Sequence, residues 1–425
     1  MIIEFSVENW RSIRSKQTFS FLKSSGDELL ASNCYKHPAY KDYLLKVAAL
    51  YGPNAGGKSN ILSALGIVES MVLFSASKQR GDEIPVEPFV LDADSNEKPT
   101  EFELIFISEG VRYQYGFSAN KQRILDEWLF AYPNKLPQKW LVRSWNSETN
   151  DYVYQPCPSL KAKAEQKNLW QNTTRQDALF LSTAVQLNCL QLQGVFDWFK
   201  NTLRTHTIGP WGNNSTTKMC KDEEHLSSVL DFLKAADLGI HGLKVDTEKF
   251  SSKHIPDDVS PDVKSKILED LKDKEVYKVK TLHITSDRRT VAFDLDNESD
   301  GTQKMFSLAS HWLLALRYGY VVIVDELNDN LHPRLVKFLV QLFQSNQTNP
   351  YGAQLLFSTH DTSLLDQTIM RRDQIWFCEK DDEQATILTQ LKQYKVIKGR
   401  ENIEAYYHAG HYAALPFVGD LKIPL

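Results

Sequence analysis

Five cysteines among 425 residues, odd in number and never spaced C-x-x-C, leave neither a disulfide framework nor a zinc ribbon to be read. Cys34, Cys157, Cys189, Cys220 and Cys378 are expected as reduced thiols. No apolar run approaches the roughly 18 to 20 residues of a spanning helix, so no membrane partner is expected. The opening MIIEFSVENWRSIRSK turns polar too early for a cleavable leader, which makes the expected compartment cytoplasmic. Internal repeats and low-complexity tracts are absent as well. Charge of one sign is scarce: 49 basic against 54 acidic residues give a net −5, which excludes global attraction to nucleic acid. His37, His206, His254, His283 and His311 have no partners at metal-ligand spacing. What remains, 42% hydrophobic and 24% charged at a mean hydropathy of −0.39, suits a water-soluble globular chain of two or more units.

Alternation at Ile3, Phe5 and Val7 and again at Phe19 and Phe21 predicts two strands around a charged turn. The apolar run LLKVAALY (44–51) predicts a buried strand, and ILSALGIVESMVLF after residue 60 has helical spacing. Three antiparallel strands are expected over 101–132, hairpin and loop over 133–165, then one or two helices over 169–203. EEHLSSVLDFLKAADLGI and SPDVKSKILEDLKDKE read as helices without sustained heptads. From 277 strands return, and then a helix ending at Gly319 opens an alternating tract: YVVIVDE, PRLVKFLVQLFQSN, AQLLFSTH, QIWFCEK. Such alternation of strand and helix belongs to a mostly parallel sheet. Trp10, Trp140, Trp145, Trp170, Trp198 and Trp211 are expected in core or interface packing, and the mixed-sign run 264–274 on a solvated helix face.

Gly52-Pro53-Asn54-Ala55-Gly56-Gly57-Lys58-Ser59 meets G-x-x-x-x-G-K-[ST] at every fixed position, between an expected strand and an expected helix. Glycines there let backbone N–H groups close round an anion, and the helix aims its positive end at it. In that pattern Lys58 reaches the β- and γ-phosphates and the Ser59 hydroxyl ligates Mg²⁺. A second carboxylate-bearing strand is then needed, and YVVIVDE supplies one. Asp325 fits the acid on the Mg²⁺ side, and Glu326 fits a general base that polarises water. Glu298-Ser299-Asp300-Gly301-Thr302-Gln303 sits just before a long helix, where Ser299 and Gly301 suit a phosphate at a helix N-terminus. His360, in Thr359-His360-Asp361, stands at the end of the strand AQLLFS.

Taken with FSVENWRS (5–12), Asn60 directly after Ser59, VDELNDNLHP, STHD and RRDQIWFCEKD, these motifs resemble an ABC-type ATPase head of the SMC, RecN and OLD branch. They are more similar still to the AAA-15 group of short, arm-less ATPases of prokaryotic defence loci, in PARIS-type, RloA-like and Septu-type systems. The tail AYYHAGHYAALPF is similar to that group's ending. The resemblance implies an α/β phosphate-loop head with a mixed sheet, an antiparallel β subdomain and a short helical insertion, without a long coiled coil. It implies that ATP is sandwiched between two copies: Gly52, Asn54, Ala55, Gly56, Gly57, Lys58, Ser59 and Asn60 of one face Ser299 and Gly301 of the other. Asp325 and Ser59 would hold Mg²⁺, with Glu326, His360 and Lys58 serving hydrolysis; His360 takes the place of the histidine that senses the γ-phosphate. Asn328-Asp329-Asn330 corresponds to the loop lining the dimer interface, and Pro88 to Asp92 resemble the coupling loop, although no glutamine can be placed in it. Asp300 stands where a second glycine is usual.

The expected organisation is a first head lobe over 1–185, a mainly helical insertion over 186–276 and a second lobe over 277–425. The expected activity is ATP hydrolysis by a homodimer or higher homo-oligomer that regulates an effector, a TOPRIM-type or HNH nuclease, in antiviral defence. Two other classes stay open at this point: a non-hydrolysing scaffold stabilised by ATP, and a DNA-repair ATPase that engages DNA directly.

Overall fold

The computed structural model describes residues 1–134, 136–206, 213–255, 259–272, 274–394 and 402–412. The chain forms two compact units, one of Met1–Gly209, Ala315–Asp329 and Val336–Leu425, the other of Pro210–Leu314 with Asn330–Leu335.

Two large sheets form most of the first unit, beside the two-stranded pair of Cys34–Lys36 and Tyr43–Leu45. Runs such as VAALY, VVIV and QLLFS have no polar face, and the strands they form, Val47–Tyr51, Val321–Val324 and Gln354–Ser358, are buried at every residue. Strands covered on both sides belong in a parallel sheet. Its order is Leu203–His206, Val321–Val324, Gln354–Ser358, Val47–Tyr51, Ile375–Lys380 and Thr386–Gln390, parallel throughout except for the last, antiparallel pair. The second sheet is a seven-stranded antiparallel meander into which Ile2–Glu8 is inserted between Thr100–Ser108 and Gln17–Ser20. Thr100–Ser108 starts with strict alternation of buried and half-buried residues, the mark of a sheet with one face on the core.

Gln354 stitches the sheets together. Its side chain, wholly buried, accepts from Ile2 N at 2.6 Å and donates to Ile2 O at 3.0 Å and Leu45 O at 3.2 Å. A buried amide with each end satisfied holds one register and penalises the others. The antiparallel sheet carries a second polar anchor. Glu127 and Arg143, both fully buried, form an ion pair at 2.9 Å, and Glu127 also accepts from Phe180 N and Leu181 N at the start of the helix Phe180–Gln186.

The helix Lys58–Phe74 packs Ile61, Leu62, Ala64, Leu65, Val68, Met71 and Val72 into the core. By length and mean hydropathy (1.5) the stretch Lys58–Ser77 is apolar enough to cross a membrane, contrary to the expectation that no such segment exists. Half of it is buried inside the unit, so its apolar character is spent on the core.

The second unit holds the helices Asn214–Met219, Glu223–Ala235 and Pro261–Leu271 and a three-stranded antiparallel sheet, Gly242–Lys249, Glu275–Ile284 and Thr290–Asp294. The expected boundaries at 185/186 and 276/277 do not coincide with these units, and beside its helices the stretch 186–276 contributes strands to two sheets. Residues 186–206 belong to the first unit because the helix Leu190–Asn201 buries Leu192, Val195, Trp198 and Phe199 there, and Leu203–His206 pairs with Val321–Val324. Gly242–Lys249 has only Leu243 buried, with Lys244, Asp246 and Glu248 on its other face, and so carries little apolar signal. Among the described residues the longest helix is Asp300–Tyr318, of 19 residues, so no long coiled coil is formed there.

Candidate functional site

The loop after Val47–Tyr51 turns sharply because three of its residues take positive φ: Gly52 at 147°, Ala55 at 62° and Gly57 at 106°. Glycine is required sterically at two of them. A Cβ on Gly52 would lie 2.2 Å from Cys378 O, and one on Gly57 2.1 Å from Thr386 Oγ1. The loop's backbone therefore lies directly against the neighbouring strands. Asn54, Ala55 and Ser59 are exposed, whereas Gly56, Gly57 and Lys58 are buried. Lys58 Nζ donates to the loop's own carbonyls, Gly52 O at 2.9 Å and Pro53 O at 3.1 Å. Burial lowers its pKa, opposed by neighbours that include Asp325 and Glu326.

A brace from the N-terminus fixes the start of the helix. Trp10 Nε1 donates to Asn60 O at 2.9 Å, and Asn60 Nδ2 donates to Ser12 Oγ at 2.7 Å. Ser12 Oγ lies 2.8 Å from Thr386 Oγ1, which donates to Gly56 O at 3.1 Å. Asn60 thus has a structural task beside the phosphate loop. The segment Asn9–Ser12 was legible only as part of a motif; its physical role lies in these bonds. Asn9, at φ 51°, also accepts from Phe89 N at 3.0 Å, which anchors the Pro88–Asp92 loop, while Val90 and Leu91 remain about two-thirds exposed at 69% and 67%.

Asp325 and Glu326 follow the strand Val321–Val324, and Glu326 is exposed at φ 51°. Ser358 Oγ donates to Asp325 Oδ1 and accepts from Glu326 N at 2.8 Å. Asn328 Oδ1 accepts from Thr359 Oγ1 at 2.8 Å and His360 N at 3.1 Å. The exposed His360 has its pKa lowered first by burial of its ring and next by the Lys58 charge, with Glu326 and Asp325 acting in the opposite sense. Lys58, Asp325, Glu326 and His360 are therefore gathered within mutual electrostatic reach. Sequence reasoning missed Ser358 and Thr386, and it assigned Asn328 only to an interface loop.

Ser299 and Gly301 belong to the second unit. There Ser299 Oγ accepts from Thr302 N at 3.3 Å, the bond of a residue capping the helix Asp300–Tyr318. Glu298 just before it accepts from His283 Nε2 at 2.7 Å and from Thr281 Oγ1. A Cβ on Gly301 would stand 3.1 Å from Asn330 O.

The first-unit residues fit a nucleotide triphosphate and Mg²⁺. The glycine cradle leaves no room for side chains, a buried ammonium sits among carbonyls, and Ser59 and Asp325 supply the oxygen ligands that Mg²⁺ prefers. Among the described residues no group of three or more His, Cys, Asp or Glu could hold a metal. A site of that smaller kind is completed by phosphate oxygens and water. Of the tryptophans, Trp10, Trp140, Trp170 and Trp198 are buried, and Trp145 stacks edge-on with Tyr152. Trp211 and residues 413–417 of the tail lie outside the described residues.

A family model described as "AAA domain, putative AbiEii toxin, Type IV TA system" (AAA_21) matches residues 47–170 and 199–366. No curated protein matches the chain in sequence. Among solved structures the chain is similar to an Smc head bound to the C-winged helix domain of ScpA, at 12% identity and a TM-score of 0.42, covering 92% of this chain and 98% of that one. It is similar to RecF with ATPrS at 13% identity and a TM-score of 0.37, covering 91% and 98%. A third is the Smc head domain with an extended coiled coil bound to the C-terminal domain of ScpA derived from Pyrococcus furiosus, at 11% identity and a TM-score of 0.41, covering 92% and 97%.

Proposed function

Because the chain belongs to the AAA_21 family of AAA domains, we propose that it binds ATP and hydrolyses it to ADP and phosphate, and that two or more copies close around the nucleotide. The observation that carries this reading is that neighbouring parallel strands end side by side, which sets Asp325, Glu326 and His360 next to the glycine loop that holds Lys58. Lys58 and the loop N–H groups bind the phosphates, and Glu326 takes the proton of the attacking water. His360, with its pKa lowered, is suited to hydrogen-bond a phosphate oxygen without adding a full charge. Ser59 and Asp325 are the residues that would hold Mg²⁺, which supplies neutralisation of phosphate charge when bound. Ser299 and Gly301 of a second copy would complete the site, so that closure depends on nucleotide and binding becomes a conformational signal.

The sequence resemblance to the AAA-15 defence group supports a cytoplasmic regulator whose closure controls an effector, a TOPRIM-type or HNH nuclease. Nothing in the net charge of −5 favours direct engagement of nucleic acid. Steady-state hydrolysis and fluorescent-nucleotide binding test the core of this reading. Lys58→Ala should abolish binding, whereas Glu326→Gln should keep binding, stop turnover and accumulate the closed oligomer in sedimentation. A Glu326→Gln protein that hydrolyses ATP at the parent rate would remove the general base from this account. A parent that binds ATP without Mg²⁺-dependent turnover would make the protein a scaffold.

A further inference from the structure

Ser358 ends a strand whose other side chains include Leu355, Leu356 and Phe357, and like them it is wholly buried. A hydroxyl in such a place needs partners, and this one has two. Its oxygen donates to Asp325 Oδ1 and accepts from Glu326 N at 2.8 Å, while the Ser358 carbonyl accepts from Leu327 N at 3.0 Å. One residue thus makes bonds to three consecutive residues of the neighbouring turn. The middle one, Glu326, has φ 51°, a left-handed conformation that non-glycine residues hold only when their surroundings fix it. Ser358 is also in register with Leu50, and Thr359 N donates to Leu50 O at 3.1 Å, two residues before the phosphate loop begins at Gly52.

We infer that Ser358 is a positioning residue for the hydrolysis proposed above, setting the side chain of Asp325 and the backbone of Glu326 with a single hydroxyl. The inference rests on that proposed activity. Without the hydroxyl, Asp325 loses the bond that fixes its carboxylate, and the Glu326 N–H loses its acceptor. Metal holding and water activation fail together, although neither carboxylate has been altered. Asn328 acts on the opposite side of the same junction. Its side-chain oxygen holds Thr359 and the backbone of His360, and it makes no bond to either carboxylate.

The test compares Ser358→Ala, Ser358→Thr and Asn328→Ala with the full-length parent. For Ser358→Ala, kcat should fall by about tenfold or more, and the Mg²⁺ concentration for half-maximal rate should rise severalfold. Affinity for fluorescent ADP in EDTA should stay at the parent value because the phosphate loop is untouched, while the thermal midpoint falls by only a few degrees, since two hydrogen bonds are lost and the fold is kept. Ser358→Thr restores the hydroxyl and should recover both the rate and the Mg²⁺ requirement. Asn328→Ala should lower kcat while leaving the Mg²⁺ requirement in place. Parent-like turnover and Mg²⁺ dependence in Ser358→Ala would overturn the inference, as would loss of ADP binding in EDTA. A parent without turnover would defeat the ATPase reading instead, and Ser358 would then be judged by whether Mg²⁺ still tightens ADP binding in the alanine variant.

Discussion

Glu127→Leu should be among the most damaging single changes outside the nucleotide site. The carboxylate accepts from Tyr115 OH at 3.0 Å, Arg143 Nε at 2.9 Å, Phe180 N at 2.7 Å and Leu181 N at 3.0 Å, and both members of the ion pair are fully buried. Leucine leaves the Arg143 guanidinium charged in the core without its carboxylate, still bonded to Ala178 O at 2.7 Å, and strips two backbone N–H groups of their acceptor. Breaking a buried pair from one side costs about 3–5 kcal/mol. At roughly 2–4 °C per kcal/mol for a large domain, the midpoint should drop on the order of 10 °C. Replacing both members, Glu127→Leu with Arg143→Met, removes the stranded charge and should recover part of the loss, the remainder being the Phe180 and Leu181 N–H groups left without their acceptor. Urea unfolding of the parent, the two single variants and the double variant gives the coupling energy directly. A double variant as unstable as the sum of the singles would refute the reasoning, because the two charges would then not be each other's partners. The damage should also be felt near the nucleotide loop's helix, as Ser182 in the helix Phe180–Gln186 donates to Met71 O at 3.3 Å.

Gly57→Ala should weaken nucleotide binding by about tenfold or more, roughly 1.4 kcal/mol or above, because the new methyl meets Thr386 Oγ1 at 2.1 Å and φ is 106°. Unchanged affinity in a fluorescent-nucleotide titration would contradict that. Glu69 should make stability depend on pH. Burial pushes its pKa from 4.5 to about 7, against the bond from Thr205 Oγ1, so between those values the folded chain holds a proton that the unfolded chain releases. Parent stability therefore declines as pH rises through that window, by on the order of 3 kcal/mol for this one group. Glu69→Gln removes that component, so its midpoint should gain on the parent's between pH 5 and 8; a constant difference across that range would count against the buried carboxyl.

The legible part of this chain was local. The phosphate loop could be read because its demand for glycine arises within a few residues, at Gly52 and Gly57, and the flanking strand and helix announce themselves by hydrophobic period. The central strands were legible for the same reason, being apolar at nearly every position. The unit boundaries were not, because whether residues 186–206 belong to one core or another depends on Leu203–His206 pairing with a strand more than a hundred residues away. Thr386–Gln390 escaped notice as a five-residue edge strand, yet its first residue bonds both Ser12 and Gly56.

The same division runs through the candidate site. Asp325 and Glu326 are visible as acids at the end of an apolar strand, but nothing in VVIVDE says that Glu326 must adopt a left-handed backbone, or that a serine later in the chain must hold it there. That relation is set by the sheet. Ser358 faces the turn because Val324 pairs with Phe357 on one side and Leu50 with Ser358 on the other. Slipping Gln354–Ser358 by one residue would turn the hydroxyl to the opposite face and leave the Glu326 N–H without its acceptor, while every motif in the text stayed as written. Placement of the general base against the phosphate loop is therefore a consequence of strand register. It follows that variants which weaken the register, such as Gln354→Leu, should disturb hydrolysis before they disturb nucleotide binding, since the loop keeps its own glycines and the acids lose their alignment.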